Sequence, residues 1–166
     1  MIDVVIRKAT EQDLESIRVI YNQGIEDRIA TLETELKDRA FMEEWFKNHG
    51  GRYTVIVAEY EGLVIGWGSL NPYNSRSVYD GVADLSLYIY RGFRGKGIGT
   101  KILTRLERFA KENAFHKIVL ATFSFNTLGQ KLYRNRGYRE VGVFKNHGII
   151  DGKFIDVMVM EKLLTH

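Results

Sequence analysis

Between a strand-like run, Val82–Tyr90, and a helical pattern, Ile98–Asn113, the chain carries Arg91-Gly92-Phe93-Arg94-Gly95-Lys96-Gly97-Ile98-Gly99-Thr100. Four glycines within eight residues let the backbone turn tightly and leave its N–H groups uncovered by side chains. Those N–H groups fall at the start of a helix, where the first turn has unpaired donors and the macrodipole is positive. Arg91, Arg94, Lys96 and Lys101 add positive charge around the same turn. A strand, a glycine turn and a helix in that order commit the segment to an α/β fold. Physically, the turn is a cradle for phosphate.

The rest of the chain supplies more elements of the same kind. Val4–Arg7 is a short strand, and Thr10-Glu11-Gln12-Asp13 is a capping box that starts a helix burying Leu14, Ile17, Ile20 and Tyr21. That helix is expected to end near Gly24, and Ile25–Leu36, with poor periodicity, is expected to be a loop or short helix. Lys37–Asn48 returns to helical spacing through Phe41, Trp45 and Phe46, and Gly50-Gly51 stops it. Tyr53–Glu59 and Leu63–Leu70 are strands joined by the two-residue turn Glu61-Gly62. Asn71–Gly81, with the single proline Pro72, is an exposed loop.

In Val82–Tyr90, Ala83, Leu85, Leu87 and Ile89 face one way, and Asp84, Ser86, Tyr88 and Tyr90 the other. Lys117–Phe123 is apolar in its centre, as in a strand covered on both faces. Asn126–Arg136 is helical and ends at Gly137. Tyr138–Phe144 and Phe154–Lys162 are strands bridged by a loop and the turn Asp151-Gly152. The order β-α-α-β-β-β-α-β-α-β-β predicts a mixed α/β sheet of about seven strands with helices on both faces.

Composition narrows the function. A length of 166 residues fits one domain, 1–166. Hydrophobic content of 45% and charged content of 27% are ordinary globular values. No run is long enough to span a membrane, and Asp3 interrupts the apolar start, so neither a membrane anchor nor a signal peptide is expected. A cytoplasmic location is the default expectation. With no cysteine there is no disulfide, thiol nucleophile or cysteine-ligated zinc. His49, His116, His147 and His166 have no metal-ligand spacing, so no metal is expected. A net charge of +3 is too small to argue for nucleic acid, and the aromatics follow core periodicity.

Spacing within the glycine loop selects among phosphate ligands. A dinucleotide fingerprint needs glycine where Ile102 stands and an acidic residue near Val119, and a Walker loop does not continue Lys96 with Gly97. The spacing that fits is Arg-x-x-Gly-x-Gly at Arg94, Gly97 and Gly99, which resembles the acetyl-CoA pyrophosphate loop of the GNAT superfamily of N-acetyltransferases. Asn126-x-x-Gly129-x-x-Leu132-Tyr133-x-x-x-Gly137-Tyr138 is similar to that superfamily's second signature. The element order is also that of the GNAT (acyl-CoA N-acyltransferase) fold.

Over nearly the whole chain, Tyr21-Asn22-x-x-Ile25-Glu26, Thr31-x-Glu33, Arg76-x-x-Tyr79-Asp80 and Gly152-Lys153-Phe154-Ile155-Asp156-Val157 resemble phosphinothricin acetyltransferases and their relatives. The resemblance implies acetyl-CoA as co-substrate, the α-amine of a small amino acid or analogue as acceptor, and a homodimer. The analogues concerned are phosphinothricin, methionine sulfone and methionine sulfoximine, which points to detoxification. A GNAT acting on a protein or polyamine amine, and a non-catalytic acyl-CoA-binding module, stand as alternatives.

The resemblance assigns the CoA cradle to Arg94, Gly95, Lys96, Gly97, Ile98, Gly99 and Thr100. It assigns pantetheine contacts to the backbone of Leu87, Tyr88 and Ile89 and to Asn126, with Tyr133 near the sulfur as a candidate acid for the departing thiolate. Asp84 is the one carboxylate on the strand before the loop and the candidate general base, directly or through a water. The matching position in phosphinothricin acetyltransferases is similar to a glutamate, one methylene longer. Direct attack needs no covalent nucleophile, and a backbone N–H near Leu87 can polarise the thioester carbonyl. Arg76 suits bidentate capture of a substrate carboxylate or phosphinate, with Tyr79 beside it. Glu26, Thr31 and Glu33 are the candidates for the opposite wall. Each of these residues also has a plain structural reading: Asp84 as a strand-bulge residue, Tyr133 as core, Asn126 as a helix cap, and the others as solvated loop.

Overall fold

The computed structural model of the protein describes residues 2–28 and 31–164. Ile29 and Ala30, within the segment expected to be a loop or short helix, and His166 lie outside the described residues. Among the described residues, seven strands form one mixed sheet in the order β1-β2-β3-β4-β5-β7-β6. They are β1 (Val5–Lys8), β2 (Val55–Tyr60), β3 (Leu63–Pro72), β4 (Val82–Ile89), β5 (Lys117–Phe123), β6 (Arg139–Ile150) and β7 (Lys153–Leu163). Every neighbouring pair is antiparallel except β4 with β5, which is parallel. The helices are α1 (Leu14–Asp27), α2 (Arg39–Lys47), α3 (Ile98–Glu112) and α4 (Thr127–Asn135).

Period-two alternation divides the apolar residues between two cores. On one face Val55, Val57, Trp67 and Tyr88 pack with Ile17, Ile20, Tyr21 and Ile25 of α1 and Met42 of α2. On the other, Ile56, Ala58, Leu70, Ala83 and Leu85 pack with Ile98, Ile102, Leu103 and Leu106 of α3. The face of β4 that carries Asp84, Ser86 and Tyr88 is therefore the face that α1 and α2 cover.

Local chemistry sets the element ends. The Thr10 N–H donates to Asp13 Oδ2 at 2.8 Å, and Arg7 donates to both oxygens of the same carboxylate, holding it below the usual carboxylate range. Asp38 caps α2 by accepting from the Phe41 N–H at 2.8 Å. The turns Glu61-Gly62 and Asp151-Gly152 both carry consecutive positive φ values, 50° and 80°, then 51° and 77°, as two-residue hairpins with right-twisted strands require.

Three boundaries differ markedly from expectation. β3 does not end at Leu70 but runs on through Asn71 and Pro72, expected in the exposed loop, because both pair with β4. α1 does not stop at Gly24 but continues to Asp27, with Arg28 as its left-handed cap at φ 53°. Gly24 lies on the buried face, where a Cβ would come within 2.9 Å of the Tyr88 ring, so its smallness serves close packing instead of termination. The loop expected after Phe144 is strand. β6 runs to Ile150, and its register shifts between Phe144 and Gly148 absorb the residues that break the alternation. Asn146 takes φ 49° there, and its N–H donates to Asp156 Oδ1 at 2.8 Å.

Candidate active site

β4 pairs with β3 from Ala83 to Ile89, but with β5 only through Val82, Ala83 and Asp84. Beyond Asp84 the two parallel strands part, and the β5-facing backbone edge of β4 from Leu85 to Ile89 is left without a strand partner. A cleft of about 190 Å³ opens at this split, with Leu87, Tyr88, Thr122, Asn126 and Tyr133 among its walls. An extended ligand carrying amides finds there what a missing strand would find.

At one end of the cleft lies the glycine turn. Gly95 and Gly97 have φ values of 78° and 81°, the left-handed region that side chains disfavour, and Gly97 is the residue from which α3 starts. At Gly99 a Cβ would stand 3.0 Å from Leu132 Cδ2, so glycine there lets the first turn of α3 approach α4. α3, 15 residues long, starts from Gly97 with no side-chain cap, which leaves the N–H groups of its first turn and its positive end to a ligand. Arg94 donates to Asp27 Oδ2 at 2.6 Å and to the Ile89 carbonyl, and Arg91 donates to both oxygens of Asp27. The two guanidiniums hold the Asp27 carboxyl below its usual range. Lys96 and Thr100 are exposed at the turn.

At the other end stands Asp84. Burial pushes its carboxyl up to about 6, opposed by the N–H that Asn71 donates to Oδ2 at 3.3 Å. A carboxylate brought so close to neutrality is suited to taking a proton from an ammonium. Tyr133 comes from α4, where it packs at 5.7 Å against the Tyr138 ring. Burial raises its phenol well above the ordinary tyrosine value, which keeps it protonated and able to donate. Burial also pushes the Tyr88 phenol up to about 12, while a hydrogen bond with Thr31 pulls the other way. Asn126 accepts from the Gly129 N–H at 3.1 Å and donates to Thr122 Oγ1 at 3.0 Å, so it caps α4 and lines the cleft at once.

The structure brings Thr31, Asp84, Leu87, Tyr88, Asn126 and Tyr133 to one cleft, with Glu33 beside Thr31. Ile89 and the loop from Arg94 to Thr100 lie outside its lining, the nearest approach being Gly99, where a Cβ would stand 3.8 Å from Leu87. Glu26 is exposed on the last turn of α1, outside the cleft lining. Arg76 and Tyr79 are exposed around the 3-10 turn Ser77–Tyr79, also outside the lining, with the Tyr79 ring 5.6 Å from that of Tyr73. Sequence reasoning passed over Tyr21 and Thr122 as wall residues, and Asn71 as the partner of Asp84. Asn71 carried no signal of this, because only the pairing of β3 with β4 places it directly opposite Asp84. Among the described residues no group of His, Asp or Glu is placed to hold a metal ion, and no helix is long and apolar enough to cross a membrane.

Comparison with known proteins gives consistent results. The model of the acetyltransferase (GNAT) family matches residues 14–138. A Bacillus subtilis (strain 168) protein, bearing the provisional name phosphinothricin acetyltransferase YwnH, is 32% identical over 161 residues, 96% of this chain and 99% of that protein. The L-methionine sulfoximine/L-methionine sulfone acetyltransferase of Pseudomonas aeruginosa is 28% identical over 94% of this chain and 92% of its own length. Among solved structures, a GNAT phosphinothricin acetyltransferase from Sinorhizobium meliloti in complex with acetyl-CoA superposes with a TM-score of 0.92. It shares 28% identity over 97% of this chain and 88% of that one.

Proposed function

The chain belongs to the acetyltransferase (GNAT) family, and from that premise we propose that it acetylates the α-amine of a small amino acid or amino-acid analogue, residues 1–166 acting as one domain. The observation that carries this reading is the split between β4 and β5. An unpaired strand edge and a half-buried carboxylate share one cleft there, and the glycine turn that starts α3 comes up beside the same strand, where a Cβ on Gly99 would lie 3.8 Å from Leu87. The acceptor class is supported by the relatives, which are named for phosphinothricin and for methionine sulfoximine or sulfone.

The chemistry follows from the positions. The pyrophosphate of acetyl-CoA takes the N–H groups of Gly95–Thr100, drawing Arg94 from Asp27, and the pantetheine amides pair along Leu87–Ile89. Asp84 removes a proton from the acceptor ammonium, directly or through a water. The freed amine forms the C–N bond at the thioester carbon, whose oxygen is held by a backbone N–H near Leu87. The C–S bond then breaks, the Tyr133 hydroxyl gives its proton to the thiolate, and the proton lost by the acetylated nitrogen restores that hydroxyl. Thr31 and Glu33 wall the acceptor side, and Arg76, with Tyr79, swings from its exposed position to meet the acceptor's anionic group.

A thiol-release assay tests the reading with acetyl-CoA against phosphinothricin, methionine sulfone, methionine sulfoximine, the standard amino acids, a polyamine and a lysine peptide. Saturable turnover on an amino-acid analogue is expected, with a KM raised about tenfold in Arg76→Ala, the equivalent of one charge-assisted hydrogen bond. Turnover confined to the peptide or polyamine would contradict the acceptor class. Acetyl-CoA binding without turnover of any acceptor would favour the binding module.

The same reading takes the protein as a cytoplasmic homodimer with a role in detoxification. β6 is an edge strand of 12 residues, and it and its hairpin partner expose Val141, Phe144, Ile149 and Phe154, an apolar surface that an isolated subunit would leave in water. Light scattering is expected to give twice the chain mass, and Phe144→Glu to give the single mass. A wild-type monomer would contradict it.

A further inference from the structure

Asp84 stands at the end of a polar chain that begins outside the cleft. Asn71 and Asp84 are cross-strand partners of β3 and β4, as are Ser69 and Ser86, so the four side chains form a polar square on one face of the sheet. The Asn71 amide links them. Its Nδ2 donates to Asp84 Oδ2 at 3.3 Å and to Ser86 Oγ at 3.0 Å, and its Oδ1 accepts from Ser69 Oγ at 2.9 Å. The same Oδ1 lies 2.8 Å from Nε2 of His49, just beyond the end of α2. The other ring nitrogen, Nδ1, lies 2.9 Å from the Trp45 carbonyl, and the Trp45 ring packs on the imidazole at 4.7 Å.

Counting donors gives the consequence. With the amide this way round, Nε2 faces a carbonyl oxygen and must donate. Nδ1 faces a second carbonyl oxygen and must donate too. A histidine that donates from both nitrogens is the imidazolium. Turning the amide over offers N–H to Nε2, and a neutral ring then suffices. The Asn71 carbonyl would then confront Asp84 Oδ2, and the two can pair only if the carboxyl holds a proton.

We propose that His49 is a positioning residue for Asp84: through the Asn71 amide, the charge of the ring decides whether an N–H or a C=O faces the carboxylate. The protonated ring presents the N–H and favours the ionised, base-competent Asp84. The neutral ring presents the carbonyl and favours the protonated carboxyl. The base is thus regulated from the far side of β3, where His49 lines a second, smaller cleft with Lys8, Phe46 and Tyr53. Lys8 and Tyr53 are the ionisable residues that line that cleft, but the Lys8 ammonium lies over the Phe109 ring and the Tyr53 ring packs on Phe115, so both are turned from the imidazole. Around Asp84 itself the ionisable neighbours in the cleft are Tyr21, Glu33, Tyr88 and Tyr133. The catalytic half of the inference rests on Asp84 being the base; the coupling does not.

The test reads the carboxyl first, without turnover. In protein labelled with 13C-carboxyl aspartate, the Asp84 titration is followed by NMR in the wild type, His49→Phe and His49→Gln. Phenylalanine keeps a ring against Trp45 and removes both donors; glutamine keeps one amide N–H at the place of Nε2 without ionising. The Asp84 midpoint is expected to rise by about one pH unit in His49→Phe, and to stay within about 0.3 unit of wild type in His49→Gln. The acid limb of kcat/KM is expected to move with it. In His49→Phe, kcat/KM then falls about tenfold below the limb and recovers at high pH. An unmoved Asp84 midpoint in His49→Phe, equal shifts in both variants, or a loss of rate uniform across pH would overturn the proposal. A carboxyl that shifts while the rate limb stays put would support the coupling and remove Asp84 from the reaction instead.

Discussion

Asp84→Asn is expected to lower turnover by about 10²–10⁴-fold and, at pH 8, to make the protein more stable than the wild type. Both effects come from the same burial. The folded protein pushes the Asp84 carboxyl up to about 6 from its ordinary 3.8, so folding favours the protonated form. The sign follows from linkage: between those two values the folded state binds more proton than the unfolded, and wild-type stability falls as pH rises through that window. Below it the cost is absent; above it the cost is present in full. Asparagine carries no charge, still fits the place opposite Asn71, and avoids a cost of order 1–3 kcal/mol, several degrees in melting temperature for a chain of this size. Thermal unfolding of both proteins at pH 4 and pH 8 measures it, the difference widening at pH 8. A variant that is active, or one less stable than wild type at pH 8, would make Asp84 a structural carboxylate.

Gly97→Val is expected to weaken acetyl-CoA binding by about 10–100-fold while leaving kcat at saturating acetyl-CoA within a few-fold of wild type. Gly97 sits at φ 81° as the residue from which α3 starts. A β-branched residue there is a conformational outlier that costs about 1–3 kcal/mol. The loop can relieve that strain only by rebuilding, which carries the N–H groups of Ile98, Gly99 and Thr100 off the phosphate. The fold loses little, because Gly97 itself is exposed and the strain stays in the turn. Isothermal titration with CoA and the KM for acetyl-CoA read the effect. Unchanged affinity, or a fall in kcat with KM constant, would place the phosphates elsewhere.

The glycine turn was legible because its chemistry is local. Gly92, Gly95, Gly97 and Gly99 need no partner to declare an uncovered backbone, and Asn126 three residues before Gly129 declares a helix cap. The element order and the alternation of β4 were legible for the same reason, and they carried Asp84 and Tyr88 to one face. What depends on tertiary approach was not. Gly24 looks like a helix stop until the Tyr88 ring is placed against it. The residues after Phe144 look like a loop until β7 pairs with them across a bulge. Tyr21 looks like core, which it is, and it lines the cleft as well. Asn71 sits in a stretch with Pro72 that composition assigns to a loop. Only the β3–β4 register turns it inward, opposite Asp84 and beneath His49.

The central claim is that acetyl-CoA and the acceptor meet at the split between β4 and β5, with Asp84 at the amine. The most direct measurement is a crystal structure of the protein with CoA and the acceptor it turns over. The account predicts pyrophosphate oxygens on the N–H groups of Gly95–Thr100 and pantetheine amides paired with Leu87–Ile89. It also predicts the acceptor nitrogen within about 3 Å of an Asp84 oxygen, or of a water bound to it. CoA lying away from the β4 edge, or an acceptor amine that approaches the thiol from a side Asp84 does not reach, would contradict it.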